Sequence, residues 1–118
     1  MNAIHKEAYI SNYAKIGQGN FINGQVFINA NAEIGQHCNI HAKVLLDSDV
    51  KVGDFVQIGA NSTLNSGCQI GEGVFIGSGV TIIGDVKIGK KARIGAGSVV
   101  IADVEAEQTV WGNPAKAI

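Results

Sequence analysis

Large aliphatic residues recur along this chain at every sixth position. From Ile4 the series runs Ile10, Ile16, Ile22, Ile28, Ile34, Ile40, Leu46, Val52, Ile58, Leu64, Ile70, Ile76, Ile82, Ile88, Ile94 and Val100, and every member is Ile, Leu or Val. Four residues after each stands a second series, from Ala8, Ala14, Asn20 and Val26 through Cys38, Ser62 and Cys68 to Ser98 and Val104. All of these but Asn20 are small or Val. A period of six is neither that of a helix nor that of simple alternation. It predicts a short strand that turns one large side chain inward, then a tight bend with a small inward residue. Gly follows the aliphatic at Gly17, Gly35, Gly53, Gly59, Gly71, Gly77, Gly89 and Gly95, as expected of a bend that needs unusual dihedrals.

A period of 18 is superposed on the six. Gly53 and Gly59 are followed by Asn65, Gly71 and Gly77 by Ile83, and Gly89 and Gly95 by Ile101. Three hexads therefore make one coil with three unequal sides, an all-β, triangular parallel β-helix. Residues 4–105 give about 5.7 coils, stacked ~4.8 Å apart into a prism about 27 Å tall. The expected division is a β-helix domain over 1–110 and a C-terminal tail over 111–118. A thin solenoid of this kind is stable only as a stack of neighbours.

The residue before each inward aliphatic faces out and tells the sides apart. Side one carries Lys15, Glu33, Lys51, Gln69, Lys87 and Glu105, a solvent row. Side two is mixed: Ala3, Phe21, Asn39, Gln57, Phe75 and Arg93. Side three carries Tyr9, Phe27, Leu45, Thr63, Thr81 and Val99, with Ile83 and Ile101 close by. An outward apolar stripe marks a partner surface, and side three is expected to pack against copies of itself about a threefold axis.

Composition narrows the function. Nine basic and ten acidic residues leave a net charge of −1 with no basic block, which excludes a nucleic-acid or anionic-membrane footprint. Apolar runs are too short for a membrane span or signal segment, so the expected location is cytoplasmic. An ice-binding face would need regular Thr ranks, and only Thr63 and Thr81 stack. Cys38 and Cys68 hold the small inward place on different sides, as buried thiols rather than a disulfide or metal pair.

The unbroken aliphatic-Gly-x-x-small-x hexads, as in Ile70-Gly71-Glu72-Gly73-Val74-Phe75, resemble those of the hexapeptide-repeat acyltransferases. That resemblance implies a left-handed parallel β-helix, an exception to right-handed crossovers. Within the superfamily the chain looks most like the sialic acid and bacillosamine sugar acetyltransferase group. Ala3-Ile4-His5-Lys6-Glu7-Ala8 is similar to the group's entry into the helix, and Gly112-Asn113-Pro114-Ala115-Lys116 to its close. The resemblance implies acetyl-CoA as acyl donor, a sugar or nucleotide-sugar acceptor, a homotrimer and no required metal. Group members usually carry an N-terminal sugar-binding domain, and this chain begins where the β-helix would begin. It is expected to be a free-standing or truncated version, with a separate sugar-binding protein as a further partner.

The group places its general-base His within an Asp-His-Asp turn, and Asp47-Ser48-Asp49 stands at the matching place here. A second His of the group, near the cofactor thioester, falls on Gln57. Without these imidazoles an amine acceptor is expected, because its free base attacks a thioester with no prior deprotonation and Asp47 or Asp49 can take the proton late. A non-catalytic trimeric scaffold is the alternative. His41 is a substitute base by hexad count. His5 and His41 share one row two coils apart, about 9.6 Å, too far to ligate one metal. The three zinc histidines of the β-helical carbonic anhydrases are missing. For the cofactor, the resemblance implies a groove between subunits lined by Ser66, Ser78, Gly95 and Ala96, with Lys90, Lys91 and Arg93 as a basic cluster for its phosphates.

Overall fold

Every aliphatic of the six-residue series ends a two-residue strand, and the strands fall into three parallel sheets numbered here in chain order. The computed structural model describes all residues, Met1–Ile118. Side one is the sheet of β3 (Lys15–Ile16), β6 (Glu33–Ile34), β9 (Lys51–Val52), β12 (Gln69–Ile70) and β15 (Lys87–Ile88). Side two holds β1 (Ala3–Ile4), β4 (Phe21–Ile22), β7 (Asn39–Ile40), β10 (Gln57–Ile58), β13 (Phe75–Ile76) and β16 (Arg93–Ile94). It is extended by β18 (Thr109–Gly112) and β19 (Ala115–Ala117). Side three holds β2 (Tyr9–Ile10), β5 (Phe27–Ile28), β8 (Leu45–Leu46), β11 (Thr63–Leu64), β14 (Thr81–Ile82) and β17 (Val99–Val100). Paired residues are one 18-residue coil apart, as in Ala3↔Phe21 and Gln57↔Phe75. The result is the expected left-handed parallel β-helix of about six turns, with extents of 37 × 20 × 19 Å. No helix is long and apolar enough to cross a membrane.

The inward aliphatics and small residues form one core of 27 buried side chains. Asn20, the exception among the small residues, is buried too, and its amide is satisfied: Nδ2 donates to Gly35 O at 2.9 Å and Oδ1 accepts from Cys38 N at 2.8 Å. Ser62 does the same one corner on, donating to Gly77 O and accepting from Val80 N. Ile4 is 46% exposed, and Ile10 and Ile16 are half-buried, because no coil lies beneath them.

The bends correct one expectation. The glycines that follow the aliphatics do not carry the unusual dihedrals. The left-handed residue is two places further on, and at ten corners it is not glycine: Gln25, Asn31, His37, Lys43, Asp49, Phe55, Asn61, Asp85, Lys91 and Glu107 have φ between 58° and 65°. The earlier glycines answer a different demand, the close approach of the next coil. A Cβ on Gly59 would stand 2.5 Å from Ser78 N, and one on Gly77 2.7 Å from Ala96 N.

The register also changes at the top. Ile88 bridges Val104 and Arg93 pairs with Thr109, so the last coil is two residues short. Val104, expected in the small series, takes the aliphatic place above Ile88, and Glu105 falls past the side-one row. Asp103 stands there instead, and its Oδ1 accepts from Lys87 N at 2.8 Å. The shortened corner deletes the backbone carbonyl that Lys87 would otherwise meet, and this carboxylate replaces it. The chain then turns back at Asn113-Pro114, and β19 pairs antiparallel with β18.

Candidate active site

Three corners join the sides, and the candidate residues fall on two of them. Asp47, Ser48, Asp49 and Ser66 lie on the corner from side three to side one. His41, Ser78, Gly95 and Ala96 lie on the corner from side two to side three, and Gln57 faces out from side two in β10. Side three separates the groups. Asp47-Ser48-Asp49 and Gln57 therefore do not meet within one chain, and neither do His41 and Asp47, which stand at opposite ends of β8.

Coil stacking sets the local geometry of the acidic turn. Asn29, one coil below Asp47, donates from Nδ2 to Asp47 Oδ1 at 3.1 Å, and Ser48 N donates to the same oxygen at 2.7 Å. Asp47 Oδ2 makes no hydrogen bond within the chain. Ser48 O accepts from Gly67 N and from Ser66 Oγ, both at 3.0 Å, so the turn is tied to the coil above. Ser48 Oγ is half-buried and unpartnered, while Asp49 is exposed at φ 65°. The 18-residue period would have pointed to Asn29 as the group that fixes the Asp47 carboxylate. Hexad counting alone missed it.

His41 and Gln57 do come together. With Gly59, Ala60, Phe75, Ile76, Gly77 and Ser78 they line a recess of about 180 Å³. That is below the usual size of a complete small-molecule pocket, about 300–1,000 Å³, and suits one wall of a larger site. The largest concavity, about 890 Å³, is a shallow trough along side one and holds none of the candidate residues. Its floor is the glycine column Gly17, Gly35, Gly53, Gly71 and Gly89 beside long charged side chains, so backbone packing accounts for it.

The expected basic cluster is divided. Lys90 and Lys91 sit on the corner from side one to side two, with Lys90 Nζ 3.9 Å from Glu72 Oε1, whereas Arg93 faces out from side two. Cys38 and Cys68 are buried free thiols on different corners. Burial is the main cause that raises both, and Cys68 is pushed up to about 12. His5 and His41 are separated by Asn23 in their column, and no three His, Cys, Asp or Glu side chains cluster to hold a metal ion.

Residues 49–84 and 67–102 match the family described as bacterial transferase hexapeptide (six repeats). Among solved structures, GDP-perosamine N-acetyltransferase of Caulobacter crescentus, in complex with CoA and GDP-perosamine, superposes with a TM-score of 0.98 at 35% identity. The match covers 99% of this chain and 56% of that one. The acetyltransferase domain of PglB from Neisseria gonorrhoeae, in complex with acetyl coenzyme A, gives 0.96 at 30% identity, covering 99% and 57%. AntD, an N-acyltransferase of Bacillus cereus, shares the fold, with a TM-score of 0.92 at 19% identity over 99% of this chain and 78% of that one. The chain thus spans a little over half the length of the two more similar structures. No curated protein matches it. In its repeat and in the prism it winds into, the chain is similar to the hexapeptide-repeat transferases, with sugar N-acetyltransferases among the structures it resembles.

Proposed function

We propose that this chain is an acetyl-CoA-dependent N-acetyltransferase acting on an amino sugar, free or nucleotide-linked. The observation that carries the reading is its superposition over nearly its whole length, at 35% identity, on an N-acetyltransferase in complex with CoA and a nucleotide-linked sugar. A cytoplasmic setting suits the supply of the donor.

The split of the candidate residues supports a threefold assembly. If side three faces a threefold axis, each copy offers one of its flanking corners to the other flanking corner of the next. Asp47-Ser48-Asp49 and Ser66 of one copy then face His41, Gln57, Ser78 and Ala96 of the next, and the small recess gains a second wall. Tyr9 and Phe27, stacked at 4.7 Å between centroids, and the exposed Ile83 and Ile101 supply apolar contact along that face.

In this site the neutral amine of the acceptor attacks the thioester carbonyl carbon. The C–N bond forms, the C–S bond breaks, and CoA leaves as thiolate. The nitrogen's surplus proton passes to Asp47 Oδ2, the carboxylate oxygen left free while Asn29 and Ser48 N hold Oδ1. A sugar hydroxyl would need its proton removed during attack, a task worth about 10²–10⁴-fold from a well-placed base, and Ser48 cannot do it.

Calorimetric titration of acetyl-CoA into the purified protein tests the reading without a guess at the acceptor. Micromolar binding at one site per chain supports it and justifies a screen of nucleotide-linked amino sugars. No heat up to millimolar donor overturns it and favours a non-catalytic trimeric scaffold, for which a co-purifying partner would be sought.

A further inference from the structure

The corner from side two to side three carries one column from coil to coil: His5, Asn23, His41, Gly59, Gly77 and Gly95. Because Ile94 pairs with Val110, the next member is Trp111. A Cβ on Gly95 would stand 2.8 Å from Trp111 Cβ and 3.7 Å from its Cγ and Cε3, so the indole lies against the Gly95 backbone. It is nonetheless 63% exposed. Directly opposite it across the β18–β19 pair stands Lys116, and one coil below, under Thr109, stands Arg93. Neither cation has a carboxylate partner; the ion pairs of the chain are Lys51–Glu33 and Lys90–Glu72.

An uncovered indole between two unpaired cations is suited to a flat π-system that bears phosphates. We propose that Trp111, with Lys116 and Arg93, receives the adenine nucleotide end of the acyl-CoA donor, with the indole stacked on the adenine. The inference rests on the acyltransferase reading above and extends it to the far end of the donor. Trp111 lies three coils above Gln57 and four above His41, or about 14–19 Å at the spacing of stacked strands, a span that an extended pantetheine arm covers. The three glycines between leave that column of the corner free of side chains.

Trp111 is the only tryptophan of the chain, so its emission reports the site directly. Acetyl-CoA and adenosine 3′,5′-bisphosphate are expected to quench and shift that emission, and S-acetyl-pantetheine to leave it unchanged. Trp111→Ala is expected to weaken acetyl-CoA binding about 10- to 100-fold, the range of base–aromatic stacking, with S-acetyl-pantetheine affinity unaltered. Trp111→Tyr should restore most of the loss, and Lys116→Ala should cost about two- to fivefold. Heat from acetyl-CoA with no change in emission overturns the platform while leaving the acyltransferase reading intact. So does an equal loss for acetyl-CoA and S-acetyl-pantetheine in Trp111→Ala, which would mean a merely structural indole. Absence of any heat from acetyl-CoA removes the acyltransferase reading and the platform with it.

Discussion

Replacing Gly59 by Ala should cost this protein far more than replacing Gly79, although both are corner glycines separated by one coil. A Cβ on Gly59 would lie 2.5 Å from Ser78 N, 2.6 Å from Gly77 C and 2.8 Å from Gly77 O, all backbone, where ordinary contact starts at 3.4 Å. The two coils would have to part by about 0.9 Å at this corner. That strain costs about 1–3 kcal/mol. It also stretches the bonds from Gly59 N to Ile76 O and from Gly79 N to Ala60 O, each now 2.8 Å, out of range, at about 1 kcal/mol apiece. The expected total is about 3–5 kcal/mol. Gly79 presents the opposite case: φ is +67° and nothing lies within 4 Å of its Cβ position. Ala there pays only for the left-handed conformation, about 1–2 kcal/mol, less about 0.4–1 kcal/mol for a stiffer unfolded chain. Urea denaturation of both variants at one protein concentration gives the comparison, provided the m-values agree. Equal losses, or a larger loss for Gly79→Ala, would refute the assignment of close approach to one glycine class and dihedral freedom to the other.

Asn20→Ala should destabilise by about 1–3 kcal/mol, because it leaves Cys38 N and Gly35 O buried without partners; the same urea titration checks it. Cys38 and Cys68 should resist a thiol reagent at neutral pH at the rate of global unfolding, and modification of the native protein in seconds would contradict their burial. Cys68 also gives an alkaline signature. Its unfolded-state pKa is 9.0 and its folded value about 12, so above pH 9 the unfolded chain binds fewer protons than the folded one. The share of Cys68 in stability should be fully present below pH 9 and fall by about 1.4 kcal/mol per pH unit from there towards pH 12. Cys68→Ala should reduce the alkaline slope by that share, leaving the contribution of Cys38, whose pKa burial also raises. Ser48→His should raise turnover of hydroxyl acceptors by about 10²-fold or more if the site lacks only its base, with little gain on amines; no gain on any hydroxyl would show that more than an imbalance of bases separates this site from an O-acetyltransferase.

The core was legible because one residue type answers one demand at each place in the hexad. A large aliphatic at the strand centre and a small residue at the bend fixed the period, the coil and, below the last coil, all three outward rows. The bends were less legible. Glycine occurs at both the first and the third place after the aliphatic, and composition alone does not say whether space or φ requires it. Phe55 and Lys91 at the left-handed place, with φ 60° and 59°, show that the corner tolerates side chains where the dihedral is unusual. Gly59 and Gly77 show that it does not where coils touch. The short last coil escaped notice because Val104 fits either series, and only its pairing with Ile88 shows which one it joins. At the site, hexad spacing put residues on the right corners but gave no distances across side three. It therefore brought His41 closer to Asp47 than the prism allows.

Both corners that flank side three change character partway up the prism, one coil apart, and this gives the proposed site a direction. On one corner the column reads Ser11, Asn29, Asp47, Asn65, Ile83, Ile101; on the other it reads His5, Asn23, His41, Gly59, Gly77, Gly95, Trp111. Up to the level of Asp47 and His41 both columns carry polar side chains with donors or acceptors. Above it the second column loses its side chains at once, until Trp111 closes it, and the first keeps one more polar residue, Asn65, before turning apolar at Ile83 and Ile101. Nothing in the core demands this change, since the inward series stays aliphatic throughout. An apolar column buries surface against a neighbouring copy, and a bare column lets an extended chain lie along the backbone. Proton transfer would then belong to the Asp47–His41 level, with the donor's arm running upward from it. Substitutions of polar residues below that level should alter turnover, whereas bulky residues at Gly79 or Ala96 should raise the KM for the donor with kcat little changed.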